Sequence, residues 1–136
     1  MAKIKHIAIA TPEPEKTAQF YQAVFGLQVA ARADVADTEA VFLTDGDINV
    51  ALLRFKTDET ALHPEGMRFI GLHHIGFLVQ DQAEYDEAVR KLRELGAPFL
   101  QGGPAQSEAT YFEVKAKDPN GITFDISIHG WAGISR

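Results

Sequence analysis

One short phrase of alternating residues occurs twice in this chain. Leu72 to Val79 reads Leu-His-His-Ile-Gly-Phe-Leu-Val, and Lys5-His6-Ile7-Ala8-Ile9 repeats it near the N-terminus, with His6 in the place of His74 and Ala8 in the place of Gly76. Successive side chains on a strand point to opposite faces. His74 therefore shares a face with Leu72, Gly76 and Leu78, while Ile75, Phe77 and Val79 form an apolar face suited to covering by a helix. Each copy leaves one metal-competent imidazole pointing the other way.

The segments after each copy run in the same order. Lys3 to Ala10 is predicted as a strand, ended by Thr11, Pro12 and Pro14, which also supply a helix start. Ala18, Tyr21, Val24 and Phe25 recur at helical spacing, and Gly26 stops that helix. Extended runs come next at Leu27 to Ala33, Glu39 to Leu43 and Ile48 to Phe55, the last two joined by the turn signal Thr44-Asp45-Gly46-Asp47. Lys56 to Ile70 is polar, contains Pro64 and Gly66, lacks sustained periodicity and reads as a connection.

After the second strand, Asp81 is the expected N-cap of a helix with an apolar stripe of Tyr85, Val89, Leu92 and Leu95, ending at Gly96. Extended runs at Pro98 to Gln101, Thr110 to Ala116 and Ile122 to His129 complete the copy, with Asp118-Pro119-Asn120-Gly121 as the turn before the last. The expectation is a single α+β domain over 1–136, made of two βαβββ modules, 1–55 and 71–136, joined by a loop at 56–70. Each half-sheet has a helix on one face, so pairing the copies completes a core.

Composition narrows the function. A formal net charge of -6 and no basic run argue against nucleic-acid or anionic-membrane surfaces and leave a small-molecule substrate. The chain has no cysteine, so a metal would be held by His, Asp, Glu, Asn or Gln. That fits a cytoplasmic protein, and the N-terminal apolar run is too short for an export or membrane segment.

His6 and His74 on the first strand of each unit, Phe20-Tyr21 and Phe25-Gly26-Leu27 at the first helix end, and Asp118-Pro119-Asn120-Gly121 leading into Phe124-Asp125-Ile126 carry a resemblance. Together and in order they resemble the vicinal oxygen chelate superfamily, which includes glyoxalase I, methylmalonyl-CoA epimerase, extradiol dioxygenases and antibiotic-sequestering proteins. The resemblance implies two curled half-sheets forming a cup, with a divalent metal on the concave surface.

Alternation tests this independently. On the last strand Phe124, Ile126 and Ile128 meet the helix, so Thr123, Asp125, Ser127 and His129 face the cup. Asp125 then joins His6 and His74 on one surface, and the resemblance makes these three the candidate metal ligands. In the first unit Ile48, Val50 and Leu52 face the helix, leaving Asn49, Ala51, Leu53 and Phe55 for the cup. Superfamily members with four protein ligands carry Glu, Gln or His at the position aligned with Ala51, and alanine cannot coordinate. Two histidines and one carboxylate match the pattern of non-haem iron(II) oxygenases. Fe(II) is the favoured metal, with Mn, Zn or Ni as alternatives.

The main expectation is therefore a dioxygenase-like oxidoreductase acting on a small vicinal-oxygen substrate. The alternatives are a glyoxalase I-like lyase, a methylmalonyl-CoA epimerase-like isomerase, or a metal-free binding or resistance protein. The sequence assigns no catalytic residue. Asn49, Ala51, Tyr111, Glu113, Lys115 and His129 are candidate substrate contacts, although Glu113 and Lys115 could equally pair with each other at a solvated rim. His129, about 13 Å along the strand from Asp125, is a rim residue. His63 and His73 are read as structural. Strand edges and half-covered sheets point to a homodimer.

Overall fold

The computed structural model describes residues 1–35, 37–102 and 112–134. Its elements are β1 (Lys3–Ala10), α1 (Pro14–Phe25), β2 (Gln28–Val35), β3 (Thr38–Thr44), β4 (Asn49–Phe55), α2 (Asp58–Ala61), a 3-10 turn (Gly66–Arg68), β5 (Gly71–Leu78), α3 (Gln82–Glu94), β6 (Phe99–Gly102), β7 (Val114–Lys117) and β8 (Thr123–Ser127). The α+β class and the repeated βαβββ order are as the sequence predicts. Two compact units contain these elements: of the described residues, one holds 6–35, 37–73 and 131–134, the other 1–5, 74–102 and 112–130.

In the unit that carries His6, the strand order is β2-β3-β4-β1. β2, β3 and β4 form an antiparallel meander, and β4 returns parallel to β1, with Ile7 beside Val50 and Ile9 beside Leu52. The alternating apolar residues of these strands collect on one face, where Val41, Leu43 and Leu52 are buried with Ala18 of α1, and Ile9, Tyr21, Leu27, Val29 and Val50 pack around them. Pro14 starts α1 at a position whose missing N–H costs nothing, and Gly26 ends it in the left-handed region at φ 73°, its N–H donating to the Gln22 carbonyl at 3.0 Å.

The stripe expected on α1 is narrower than its spacing implies. Ala18 and Tyr21 face the core, but Val24 and Phe25 are exposed, as is Phe20. The connection at 56–70 is more ordered than its irregular pattern suggests: Thr57 caps α2 by accepting from the Thr60 N–H. This short helix covers His73, whose Nε2 bonds the Ala61 carbonyl.

The other unit has the order β5-β8-β7-β6, with β8 parallel to β5 and antiparallel to β7. Val79, Val114 and Ile126 are buried, and Tyr85, Ala88, Val89 and Leu92 of α3 pack on them with Phe124 and Ile128. Asp81 is the N-cap, accepting from the Glu84 N–H at 2.9 Å. Leu95 departs from the expected stripe because it is the C-cap, one residue past the helix, and it is exposed. The turn before β8 is held by Asp118, whose side chain accepts from the N–H groups of Asn120 and Ile122.

Candidate functional site

The parallel pairing of β1 and β4 decides what lies beside His6. Cross-strand partners share a face, and the register sets His6 opposite Asn49, Ala8 opposite Ala51 and Ala10 opposite Leu53. From β3, Phe42 lies opposite Ala51 and Ala40 opposite Leu53. This face is therefore floored by Ala8, Ala10, Ala40, Phe42 and Ala51, all buried. None of them is ionisable.

His6 itself is buried, and its Nδ1 lies 2.7 Å from Asn49 Oδ1. Asn49 Nδ2 donates to the Ala132 carbonyl at 2.9 Å, so its amide nitrogen is committed and its oxygen faces the imidazole. Amide oxygen only accepts. In the neutral form of His6 this arrangement suits a proton on Nδ1, donated to the Asn49 oxygen. Trp131 stacks on the same ring, with centroids 4.6 Å apart and planes 3° from parallel. Nothing in the sequence pattern flags this tryptophan, because it follows the last strand and belongs to no periodic segment.

The same construction around His74 carries different chemistry. β5 and β8 are in parallel register, with His74 opposite Thr123, Gly76 opposite Asp125 and Leu78 opposite Ser127. Asp125 is thus two residues beyond the position facing its histidine, the relation that Ala51 has to His6. The alignment that puts Ala51 in a ligand position has this geometric basis. Thr123, Asp125 and Ser127 are all buried.

Asp125 Oδ2 lies 3.1 Å from His74 Nε2, and its Oδ1 accepts from Lys115 Nζ. Lys115 is buried as well and sits 4.5 Å from the centre of the Phe112 ring. Burial first, and the Lys115 charge second, hold His74 below the ordinary imidazole range against the opposing pull of Asp125. A neutral imidazole is the form that binds a metal.

The remaining candidates are dispersed. Lys115 and Glu113 do not pair at a rim: Lys115 turns inward to Asp125, while Glu113 accepts from the Ile128 N–H at 2.7 Å. β8 ends at Ser127, short of the expected His129, and the exposed His129 ring lies 3.9 Å from Glu113. Tyr111 lies outside the described residues. His63 stacks on Phe69 at 3.7 Å.

The sequence profile of the Glyoxalase/Bleomycin resistance protein/Dioxygenase superfamily matches residues 3–126. The chain belongs to this superfamily. Human mitochondrial methylmalonyl-CoA epimerase is 30% identical over 140 residues, which cover 93% of this chain and 73% of that protein. A Streptomyces coelicolor methylmalonyl-CoA epimerase variant in complex with 2-nitronate-propionyl-CoA superposes with a TM-score of 0.74 at 21% identity, covering 96% of each chain. A hypothetical protein from Bacillus halodurans superposes with a TM-score of 0.73 at 19% identity, over 99% of this chain and 95% of that one. Both of these solved structures share the fold. The relatives side with the isomerase alternative more than with a dioxygenase.

Two buried imidazoles and a buried carboxylate can ligate a metal, and a buried ammonium can hold an anionic oxygen. No helix among the described residues is long and apolar enough to cross a membrane.

Proposed function

We propose that this protein is a divalent-metal-dependent isomerase that moves a proton at the carbon beside a thioester carbonyl, with His6, His74 and Asp125 as the protein ligands. The observation that carries the reading is the buried Asp125, shared between His74 Nε2 and Lys115 Nζ, in a chain 30% identical to a methylmalonyl-CoA epimerase.

The donors suit the group. Among the described residues His6, His74 and Asp125 form a group whose side chains could hold an ion, and all three are buried. Two imidazoles and one carboxylate accept Mn, Fe(II), Zn or Ni. The Nδ1–H of His6 is engaged by Asn49, which makes Nε2 the donor atom, and outer partners of this kind normally orient a ligating histidine. When bound, the ion supplies Lewis-acid stabilisation of negative charge developing on the substrate oxygen.

The chain's own residues divide the rest. Lys115 holds Asp125 Oδ1, and Oδ2, which lies 3.1 Å from His74 Nε2, would turn to the ion when it binds. Within the unit that carries His6, the described residues flooring its face, Ala8, Ala10, Ala40, Phe42 and Ala51, are not ionisable, so this reading assigns proton transfer to the unit that holds Asp125, Lys115 and Glu113. The apolar floor of Ala8, Ala51 and Phe42 excludes water from the acyl group. An acyl-coenzyme A ester is the substrate class in this reading, and the protein works as a cytoplasmic homodimer.

The test is deuterium entry at C2 of methylmalonyl-CoA in D2O, followed by mass spectrometry with and without a chelator. Metal-dependent exchange is the expected result. A dioxygenase remains the second reading because Ala51 leaves one ligand position without a protein donor, as joint binding of O₂ and a diol requires. Oxygen uptake with catechols and no exchange would select it, and a metal-free protein with neither activity would select a binding module. Light scattering at micromolar concentration tests the dimer, and a monomeric mass would refute it.

A further inference from the structure

We infer that residues 131–134 form a strap that fixes the tautomer of His6, acting through Asn49. The inference rests on the metal reading for its purpose but not for its geometry. All the residues involved belong to one compact unit.

The strap is anchored at three successive residues. Trp131 is buried and lies flat on the His6 imidazole, which restricts the plane of the ring. The Ala132 carbonyl accepts from Asn49 Nδ2, and the Gly133 carbonyl lies 3.1 Å from the Thr44 hydroxyl, whose proton it shares with the Ile48 carbonyl at 2.9 Å. Gly133 is left-handed at φ 84°, and a Cβ there would fall 2.6 Å from Thr44 Cγ2 and 2.7 Å from Ala30 Cβ. Only glycine seats the strap this closely.

The consequence reaches His6 by a short chain of obligations. A backbone carbonyl cannot donate, so Ala132 selects the amide nitrogen of Asn49 as its partner. The amide oxygen must then face His6, where it accepts from Nδ1–H. The neutral histidine side chain in water favours the other tautomer, with the proton on Nε2, so the Asn49 contact works against that intrinsic preference and leaves Nε2 basic. Asn49 is a positioning residue in this arrangement, and Ala132 positions Asn49. A strap that served only as an apolar plug would bury Trp131 equally well and would leave the proton on His6 unspecified.

The experiment reads the tautomer directly in the metal-free, full-length protein, by long-range 1H–15N correlation of the imidazoles at a pH where the spectra show them neutral. The wild type is expected to show a protonated Nδ1 and an unprotonated Nε2 on His6. Asn49→Leu, which keeps bulk and removes the acceptor, should move the proton to Nε2, and Gly133→Ala, which unseats the strap, should shift it in the same direction. A wild-type His6 protonated on Nε2 would overturn the inference, whether or not Asn49→Leu folds. An unchanged tautomer in folded Gly133→Ala would also overturn it. Zinc affinity, measured by calorimetry, should fall about 10–100-fold in Asn49→Leu. A tautomer switch with unchanged zinc affinity would support the strap and contradict the metal reading.

Discussion

The surroundings of His6 and His74 are the same backbone put to different use. Both histidines sit on the first strand of a βαβββ unit, both face a residue of a parallel last strand, and both have a marked position two residues further on. Within its own unit His6 has neutral neighbours: Asn49 opposite, Ala51 beyond it, Phe42 and Ala40 alongside, Trp131 stacked on the ring. Around His74 they are charged, with Asp125 in the marked position and Lys115 on its second oxygen. Register is fixed by the opposite face, where Val41, Leu43 and Leu52 in one unit and Val79, Val114 and Ile126 in the other pack on a helix. A one-residue slip would expose those residues, so the inward face can change its chemistry while the scaffold holds. One unit holds an oriented imidazole over an apolar floor; the other holds a buried charged pair.

The sharpest break in this contrast is Asp125→Asn. It strips the counter-charge from a buried ammonium, and breaking a buried pair in this way costs about 3–5 kcal/mol. Asn49→Ala on the neutral side removes one acceptor and one donor and should cost less, about 1–3 kcal/mol. Urea unfolding of the two variants decides the point. Equal losses would erase the distinction between the halves.

Ala51→Glu makes the neutral unit resemble the charged one. A carboxylate forced among Ala8, Phe42 and Leu53 should destabilise the metal-free protein by about 1–3 kcal/mol through overpacking alone. Added divalent metal should recover that stability, because the new carboxylate stands where Asp125 stands in the other unit. A melting temperature insensitive to metal would show that the two marked positions are not equivalent.

Lys115→Met tests the charged side more gently. Asp125 keeps its contact with His74, so stability should fall less than in Asp125→Asn. The lost ammonium no longer repels a divalent ion, and affinity should rise about tenfold or more, read by calorimetry with Zn or Mn. A weaker affinity would mean that Lys115 orients Asp125 more than it opposes the metal. The smallest effect is expected at Leu95, whose exposed position past α3 should let Leu95→Ser stay within about 0.5 kcal/mol in the same urea assay.

Much of this arrangement is legible in the sequence itself. Alternation places His6, Asn49 and Ala51 on one face and Ile7, Val50 and Leu52 on the other, because a period of two leaves little ambiguity once one residue is anchored. The same logic puts Thr123, Asp125 and Ser127 together. Helical phase is less exact: Val24 and Phe25 lie on the apolar stripe of α1 by spacing, yet they are exposed, because nothing in the sequence says how wide a face the sheet covers. Lys115 has a parity that points inward, but its partner can be read only from the pairing of β7 with β8. Trp131 and the short helix over His73 have no periodic signal, since their contacts are tertiary and local pattern carries no record of them.

The central claim is that His6, His74 and Asp125 hold one divalent ion, and its most direct test is the metal content of protein purified without chelator. Plasma mass spectrometry of the wild type, His6→Ala and His74→Ala should show about one divalent ion per chain in the first and little in either variant, with both variants still folded by circular dichroism. Unchanged metal content in both variants would contradict the claim.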